Sequence, residues 1–217
     1  MKILYFVVEG DTEEQFVKDV LAKHFDGKCY IQPIKITTNP NLGKRGGFTT
    51  YKHLKTDVEN LLSQKREKIV TIFVDYFRIP KDIPDYDNCQ MIQTIDDRIK
   101  CLENAIKNDI GSDIFFPYIQ KCEFEALLFS SNRGFEYQFS QRESKETAKI
   151  IKKYPNPEEI NDNPATSPSN RLKIIRPFYD KFLEGNTIAL KVGLDKILEK
   201  CPRFKTWIDN LTELVQG

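Results

Sequence analysis

Four carboxylates stand where apolar runs of the chain give out. Lys2-Ile-Leu-Tyr-Phe-Val-Val8 is followed by Glu9, Ile69 to Val74 by Asp75, and Ile114 to Ile119, after Gln-Lys-Cys, by Glu123-Phe-Glu125. Short unbroken runs rich in β-branched and aromatic residues read as strands buried on both faces of a sheet. In an open α/β sheet the crevice beyond the carboxyl ends of the strands collects ligands. Acids converging there repel one another, and a hard divalent cation relieves that repulsion. Oxygen ligands suit Mg²⁺ or Mn²⁺, which bridge carboxylates to substrate phosphate. The chemistry expected is metal-assisted phosphoryl transfer or phosphodiester hydrolysis. Of Glu123 and Glu125, one is expected to be structural.

Cations are the complementary search. Gly43-Lys-Arg-Gly-Gly47 sets Lys44 and Arg45 between glycines, where backbone N–H groups approach an anion closely, although a solvated turn explains the segment equally well. It lacks the Lys-Ser/Thr ending of a nucleotide-binding P-loop. Ser169-Asn-Arg-Leu-Lys173 follows Pro168 at an expected helix start, and its Arg171 and Lys173, with Lys181 beyond, form the better phosphate candidate. A structural bridge from Arg171 to acids is the competing reading. His24 and His53 have no partner at metal-ligand spacing, and no Ser-His-Asp order, GxSxG elbow or dinucleotide fingerprint occurs. Phe204 and Trp207, at helical spacing, are expected to anchor a core.

The elements that must position these residues alternate. After the first strand, Thr12-Glu-Glu-Gln15 fits a capping box opening a helix with Phe16, Val17, Val20, Leu21 and Phe25 on one stripe. Tyr30 to Thr37 reads as a strand, Asn39 to Thr49 as a loop, Tyr51 to Arg66 as a helix, and Tyr76 to Asp87 as a loop. A helix follows from about Met91 to Ile106. Pro117, which cannot donate to a ladder, argues for an edge strand or an irregularity there. The pattern predicts an α/β fold with a mainly parallel central sheet flanked by helices, over residues 1–139. From 140 to 217 helical patterns are separated by Pro- and Asn-rich turns, a helical lobe packed on that sheet.

The 217 residues carry 33 Lys+Arg against 32 Asp+Glu, so no chain-wide basic excess argues for nucleic acid, and any such contact must be a local basic surface. Residues 141–217 hold 14 basic against 11 acidic residues, a mild excess on the lobe. The five cysteines are odd in number and widely spaced, fitting reduced thiols in the cytoplasm. The first apolar run is too short for a signal peptide or a membrane span, so no membrane role is expected.

Across nearly the whole chain the sequence resembles the bacterial domain of unknown function family 4276, regarded as Toprim-like. The matching blocks are Val8-Glu-Gly-Asp-Thr-Glu13, Val74-Asp-Tyr-Phe77 before Ile79-Pro80, and Glu123-Phe-Glu-Ala-Leu-Leu-Phe129. Asn156-Pro-Glu-Glu-Ile-Asn161, Ser167-Pro-Ser-Asn-Arg-Leu172, Tyr179-Asp-Lys181, and Cys201-Pro-Arg-Phe204 with Trp207 complete them. The resemblance implies a Toprim-like sheet with a glutamate, here Glu9, as acid/base or metal ligand, and an Asp-x-Asp pair binding Mg²⁺. Asp75 matches the first aspartate, but Phe77 stands at the second. Cys122 replaces a histidine expected before the Glu-Phe-Glu block.

The implied function is a metal-dependent nuclease or phosphodiester hydrolase, working with a partner ATPase of the AAA or ABC type in mobile-element or phage defence. A catalytically inactive module docking on such an ATPase, and a small-nucleotide hydrolase, are the alternatives.

Overall fold

The computed structural model describes residues 1–39, 42–160, 163 and 165–217. Asn161, which closes one of the family-like blocks, and Pro40 and Asn41 in the expected glycine-rich loop lie outside the described residues.

In chain order the strands are β1 (Ile3–Val8), β2 (Tyr30–Lys35), β3 (Thr37–Asn39), β4 (Lys44–Arg45), β5 (Lys68–Asp75) and β6 (Phe115–Gln120). The helices are α1 (Asp11–Phe16), α2 (Ala22–Phe25), α3 (Tyr51–Leu62), α4 (Tyr86–Gln90), α5 (Ile95–Ile110), α6 (Glu125–Leu128), α7 (Arg133–Gln138) and α8 (Gln141–Lys153), followed by α9 (Pro168–Ile175), α10 (Asn186–Val192), α11 (Leu194–Lys200) and α12 (Pro202–Gln216). One π-helical turn, Val17–Leu21, joins α1 to α2, and another, Lys181–Gly185, leads into α10.

Four strands form a parallel sheet in the order β2-β1-β5-β6. Both edges carry a proline, Pro33 in β2 and Pro117 in β6, where a missing N–H leaves no ladder gap. The two central strands are buried on both faces: Leu4, Phe6 and Val8 face one core and Tyr5 and Val7 the other. One core is shared with α3 and α5 through Leu54, Val58, Ile99, Leu102 and Ile106. The other is covered by α1 and the C-terminal helices, with Phe204, Trp207, Ile208 and Leu211 against Phe6 and Phe73. Trp207 is buried as expected. It stacks on Tyr118 at 4.3 Å between ring centroids, and its indole N–H donates to Thr71 Oγ1 at 3.0 Å. The segment after residue 140 therefore closes one face of the sheet rather than adding a separate core.

Several local expectations give way to tertiary context. The capping box at Thr12 does not form: Gly10 is the N-cap of α1, Thr12 is buried inside the first turn, and Gln15 bonds Asp19 instead. A complete capping box occurs at Ser140 and Glu143, at the start of α8. The helix expected from Met91 starts at Ile95, where the Thr94 hydroxyl accepts from Asp97 N–H, and runs on to Ile110 until Gly111 takes up φ +64°. Within the expected Gly-rich loop, Lys44–Arg45 forms β4 and pairs antiparallel with β3 at the loop's start. Finally, Cys89 of α4 and Cys101 of α5 form a disulfide with Cα atoms 5.6 Å apart, so the expectation of reduced thiols does not hold for this pair. Residues 12 apart with no CxxC spacing give no local cue, because only the packing of α4 on α5 brings them together.

Candidate functional site

The strand order fixes where acids can meet. From β1 the chain goes to β2 on one side, then returns to place β5 on the other side of β1. The β1/β5 boundary is thus the topological switch point, and Glu9 and Asp75 stand at its carboxyl end. Asp75 is the last residue of β5, paired in register with Gln120 of the adjacent β6. Beyond β6, Cys122 takes up φ +66°, turning the chain so that α6 starts at Glu125. Asp75 Oδ1 accepts from Phe124 N–H at 2.9 Å, tying that turn to β5.

At the centre of the cluster is a lysine. Lys181 Nζ, at the start of the second π-helical turn, lies 3.1 Å from Glu13 Oε1, 3.5 Å from Glu125 Oε2 and 3.6 Å from Asp75 Oδ2. Their side chains are 4%, 2% and 9% exposed, against 39% for Lys181. Glu9 completes the group from the rim. Burial, then the charge of Glu13, pushes its carboxyl above the usual range, opposed by Lys181 and by the backbone N–H groups of Asp75 and Phe48. Asp75 is pushed well above the ordinary value, with burial as the largest cause and Glu13, Glu9 and Glu125 adding to it against Lys181. Glu125 is likewise raised by burial, with Glu123 adding and Lys181 opposing. Burial works against the Lys181 ammonium, but the charges of Glu125, Asp75 and Glu13 overcome it and hold its proton well above the ordinary range. Four acids around one cation leave a formal charge of −3 if all ionise.

Two oxygens in this cluster, Glu13 Oε1 and Glu125 Oε2, are buried against Lys181 Nζ, and the nearby Tyr179 hydroxyl is buried without a hydrogen bond. Burial, followed by the Glu125 charge, pushes that phenol well above its usual range. Hard oxygen donors with unfilled acceptor capacity fit a hard divalent cation in kind. Their spacing is that of acids gathered round an ammonium. The three metal-capable side chains with ligand atoms within 4.8 Å of one another, among the described residues, are Asp85, Cys89 and Cys101, and the disulfide occupies both sulfurs there. A cavity of about 690 Å³ lies over α5, lined by Pro84, Asp85, Asp97, Lys100 and Asn104 among others, and holds none of the clustered acids. Convergence of buried charge, rather than cavity size, marks the strand ends as the candidate site.

Of the residues singled out in the sequence, Glu9, Asp75 and Glu125 come together. Glu123 does not serve the cluster directly: its two oxygens accept from Ser169 N–H and Ser169 Oγ, both at 2.9 Å, holding the first turn of α9. It is the structural member of the Glu123/Glu125 pair. Lys181, expected beside phosphate, is engaged by three acids. Arg171 donates through Nε to Thr166 O at 2.6 Å and lies over the Tyr154 ring, so it is a lobe brace, though its partners are a carbonyl and a ring rather than the acids expected. Lys173 is exposed on α9, and Lys44 and Arg45 are exposed on β4. The glycines beside Lys44 and Arg45 have another use. Gly46 and Gly47 adopt φ of +100° and +86°, and Gly47 N–H donates to Glu9 O at 2.7 Å, strapping the loop across the end of β1.

Sequence reasoning missed Glu13 and Tyr179 as members of the site. Glu13 reads locally as a helix-start acid, and only the docking of the 181–185 turn on α1 gives it a partner. Lys121 was also missed. It is 4% exposed just past β6, where Asp96 and Glu159 pair with it at 2.9 and 3.0 Å and offset the cost of its burial.

A family model described as a domain of unknown function, DUF4276, matches residues 8–212. The chain belongs to this family. No curated protein and no solved structure matches it. In this DUF4276 chain the sequence blocks that carried the resemblance converge in space. Glu123 holds Ser169, Asp75 holds Phe124, and Lys181 joins Glu13, Asp75 and Glu125. Glu158, 1% exposed, accepts from Arg203 N–H at 2.9 Å and Phe204 N–H at 3.0 Å, seating α12. No helix among the described residues is long and apolar enough to cross a membrane.

Proposed function

We propose that the chain is a metal-dependent, Toprim-like nuclease or related phosphodiester hydrolase whose site is the acid cluster at the β1/β5 switch point. The observation that carries this reading is the convergence of Glu9, Asp75, Glu125 and Glu13 on Lys181 at the carboxyl ends of parallel strands. Asp75, Glu125 and Glu13 would hold Mg²⁺ or Mn²⁺, with Glu9 at the open rim. Bound there, the ion would neutralise phosphate charge and lower the pKa of a coordinated water.

The chain's own groups supply the rest. Glu9 is partly exposed and burial raises its carboxyl above the usual range, which makes it a better proton acceptor for attacking water than an ordinary glutamate. Lys181 reaches solvent with over a third of its side chain, so its ammonium can meet a phosphate oxygen once the acids are otherwise neutralised. Glu123 positions α9 and with it Lys173. Lys44 and Arg45, on the hairpin strapped to Glu9, are the remaining phosphate candidates.

The proposed setting is the cytoplasm, beside an AAA- or ABC-type ATPase in mobile-element or phage defence, on the strength of the resemblance alone. One observation favours a noncatalytic module instead: Phe77, half-buried beneath Arg78, takes the place of the second aspartate of a Toprim pair. A Mn²⁺-dependent cleavage assay on DNA and RNA, comparing the unmodified chain with Glu9→Ala and Asp75→Ala, decides between them. The nuclease reading expects cleavage that both substitutions abolish. Metal binding without cleavage favours the module, and cleavage surviving both substitutions rejects the site.

A further inference from the structure

Two exposed aromatic rings stand beside Lys181 in the chain. Phe178 is 94% exposed and Phe182 43%, and they flank Lys181 in sequence at three residues and one residue. Phe178 and Lys181 can therefore be no more than about 11 Å apart at Cα, roughly the reach of two nucleotides. Neither ring belongs to either core. The backbone beside them is anchored. Tyr179, between Phe178 and Lys181, is buried with its N–H donating to Arg176 O, and Asp180 caps the turn that follows.

Residues 171–191 hold five basic side chains against Asp180 and Glu184, with Arg176 paired to Glu184. Lys181 is itself paired with Glu13, Asp75 and Glu125, so this stretch meets a polyanion once a divalent ion neutralises those acids, as the reading above requires. Lys173 is exposed on the preceding helix. Exposed aromatic rings beside cations form a stacking platform for unpaired bases, whereas the bases of a duplex are already stacked on one another and cannot use it.

We propose that Phe178 and Phe182 stack unpaired bases of a single-stranded nucleic acid whose backbone passes Lys181, so that the substrate class is single-stranded or locally unpaired DNA or RNA. This rests on the acid cluster being a phosphodiester site, and it names the substrate. Ile174 and Leu183, also exposed nearby, extend the apolar rim, and a second copy of the chain docked there is the competing occupant.

The test is fluorescence anisotropy in Ca²⁺, a hard ion that neutralises the acids while activating water less than Mn²⁺, with labelled 12-nucleotide single strands of DNA and RNA and a matching duplex. The unmodified chain is expected to bind a single strand more tightly than duplex. Phe178→Ala and Phe182→Ala should each weaken single-strand binding about tenfold, and Phe178→Tyr, which keeps the ring, should retain it. Thermal unfolding of each variant should match the parent. Absence of single-strand binding, a preference for duplex, or unchanged affinity in the alanine variants overturns the proposal. So does loss of self-association by light scattering with strand binding unchanged, which assigns the patch to a second copy. Single-strand binding that depends on the rings, without cleavage in Mn²⁺, leaves this inference standing and sinks the nuclease reading. Cleavage with kcat/KM unaffected by loss of the rings does the reverse.

Discussion

Lys181 Nζ sits 3.1 Å from Glu13 Oε1, joining the turn before α10 to the first helix across 168 positions of sequence. The contact makes the lysine a resident counter-ion. It stands among acids that would otherwise repel one another in a poorly solvated corner of the fold. Removing one partner of a fully buried pair costs about 3–5 kcal/mol, and the partial exposure of Lys181 reduces that.

Lys181→Met is therefore expected to lower the stability of the metal-free chain by about 2 kcal/mol at pH 8 in urea unfolding. Millimolar Mn²⁺ should restore most of the loss by supplying the missing positive charge. A variant as stable as the parent in EDTA means the acids already share protons without the lysine.

Glu125→Gln and Glu123→Gln separate the two halves of that motif. The first removes a buried charge held at a raised pKa, so the metal-free chain should gain stability while stabilisation by Mn²⁺ disappears. The second weakens two hydrogen bonds to Ser169 and should cost about 1–2 kcal/mol, with Mn²⁺ stabilisation retained. Differential scanning fluorimetry across a Mn²⁺ titration reads both.

The pH dependence has a definite sign. Glu9, Asp75 and Glu125 have folded-state pKa values above their unfolded ones, with burial the largest cause. Between those two ranges the folded chain binds more protons than the unfolded chain, so stability falls as pH rises. In EDTA the urea midpoint should decline from pH 5 upward until the acids have ionised. Metal affinity should climb over the same interval because the ligands must lose protons. A midpoint that rises with pH there would show that Lys181 outweighs burial.

Glu158→Ala should destabilise the chain by about 2–3 kcal/mol, because it strips Arg203 N–H and Phe204 N–H of a buried acceptor and loosens the Phe204–Trp207 anchor. Loss of Trp207 fluorescence at lower urea than in the parent is the readout.

Alkylation of the denatured chain without reductant should find three reactive thiols, Cys29, Cys122 and Cys201, if Cys89 and Cys101 are joined as observed. Ser in place of Cys89 should cost about 2–3 kcal/mol through the freed 12-residue separation. Five reactive thiols would instead match the reducing cytoplasm proposed above.

The sequence by itself determined the four strands of the main sheet, their parallel arrangement and the acids at their carboxyl ends. Each follows from local pattern: unbroken apolar runs demand burial on both faces, and the acids after Val8 and Val74 end those runs; Pro117 left an edge or an irregularity open, and the sheet order puts it at the edge. It also placed Phe204 and Trp207 in the core through helical spacing. Tertiary structure decided which charges meet. Nothing local distinguishes Glu123 from Glu125, yet one holds Ser169 while the other points at Lys181, because a left-handed residue at Cys122 turns the chain between β6 and α6. Glu13 entered the site, and Arg171 left it for Tyr154, through contacts with segments distant in sequence. Hydrophobic burial has a period that a short window of sequence records, whereas a buried ion pair depends on two distant side chains arriving within a few ångströms, and that separation is set only when the layers pack.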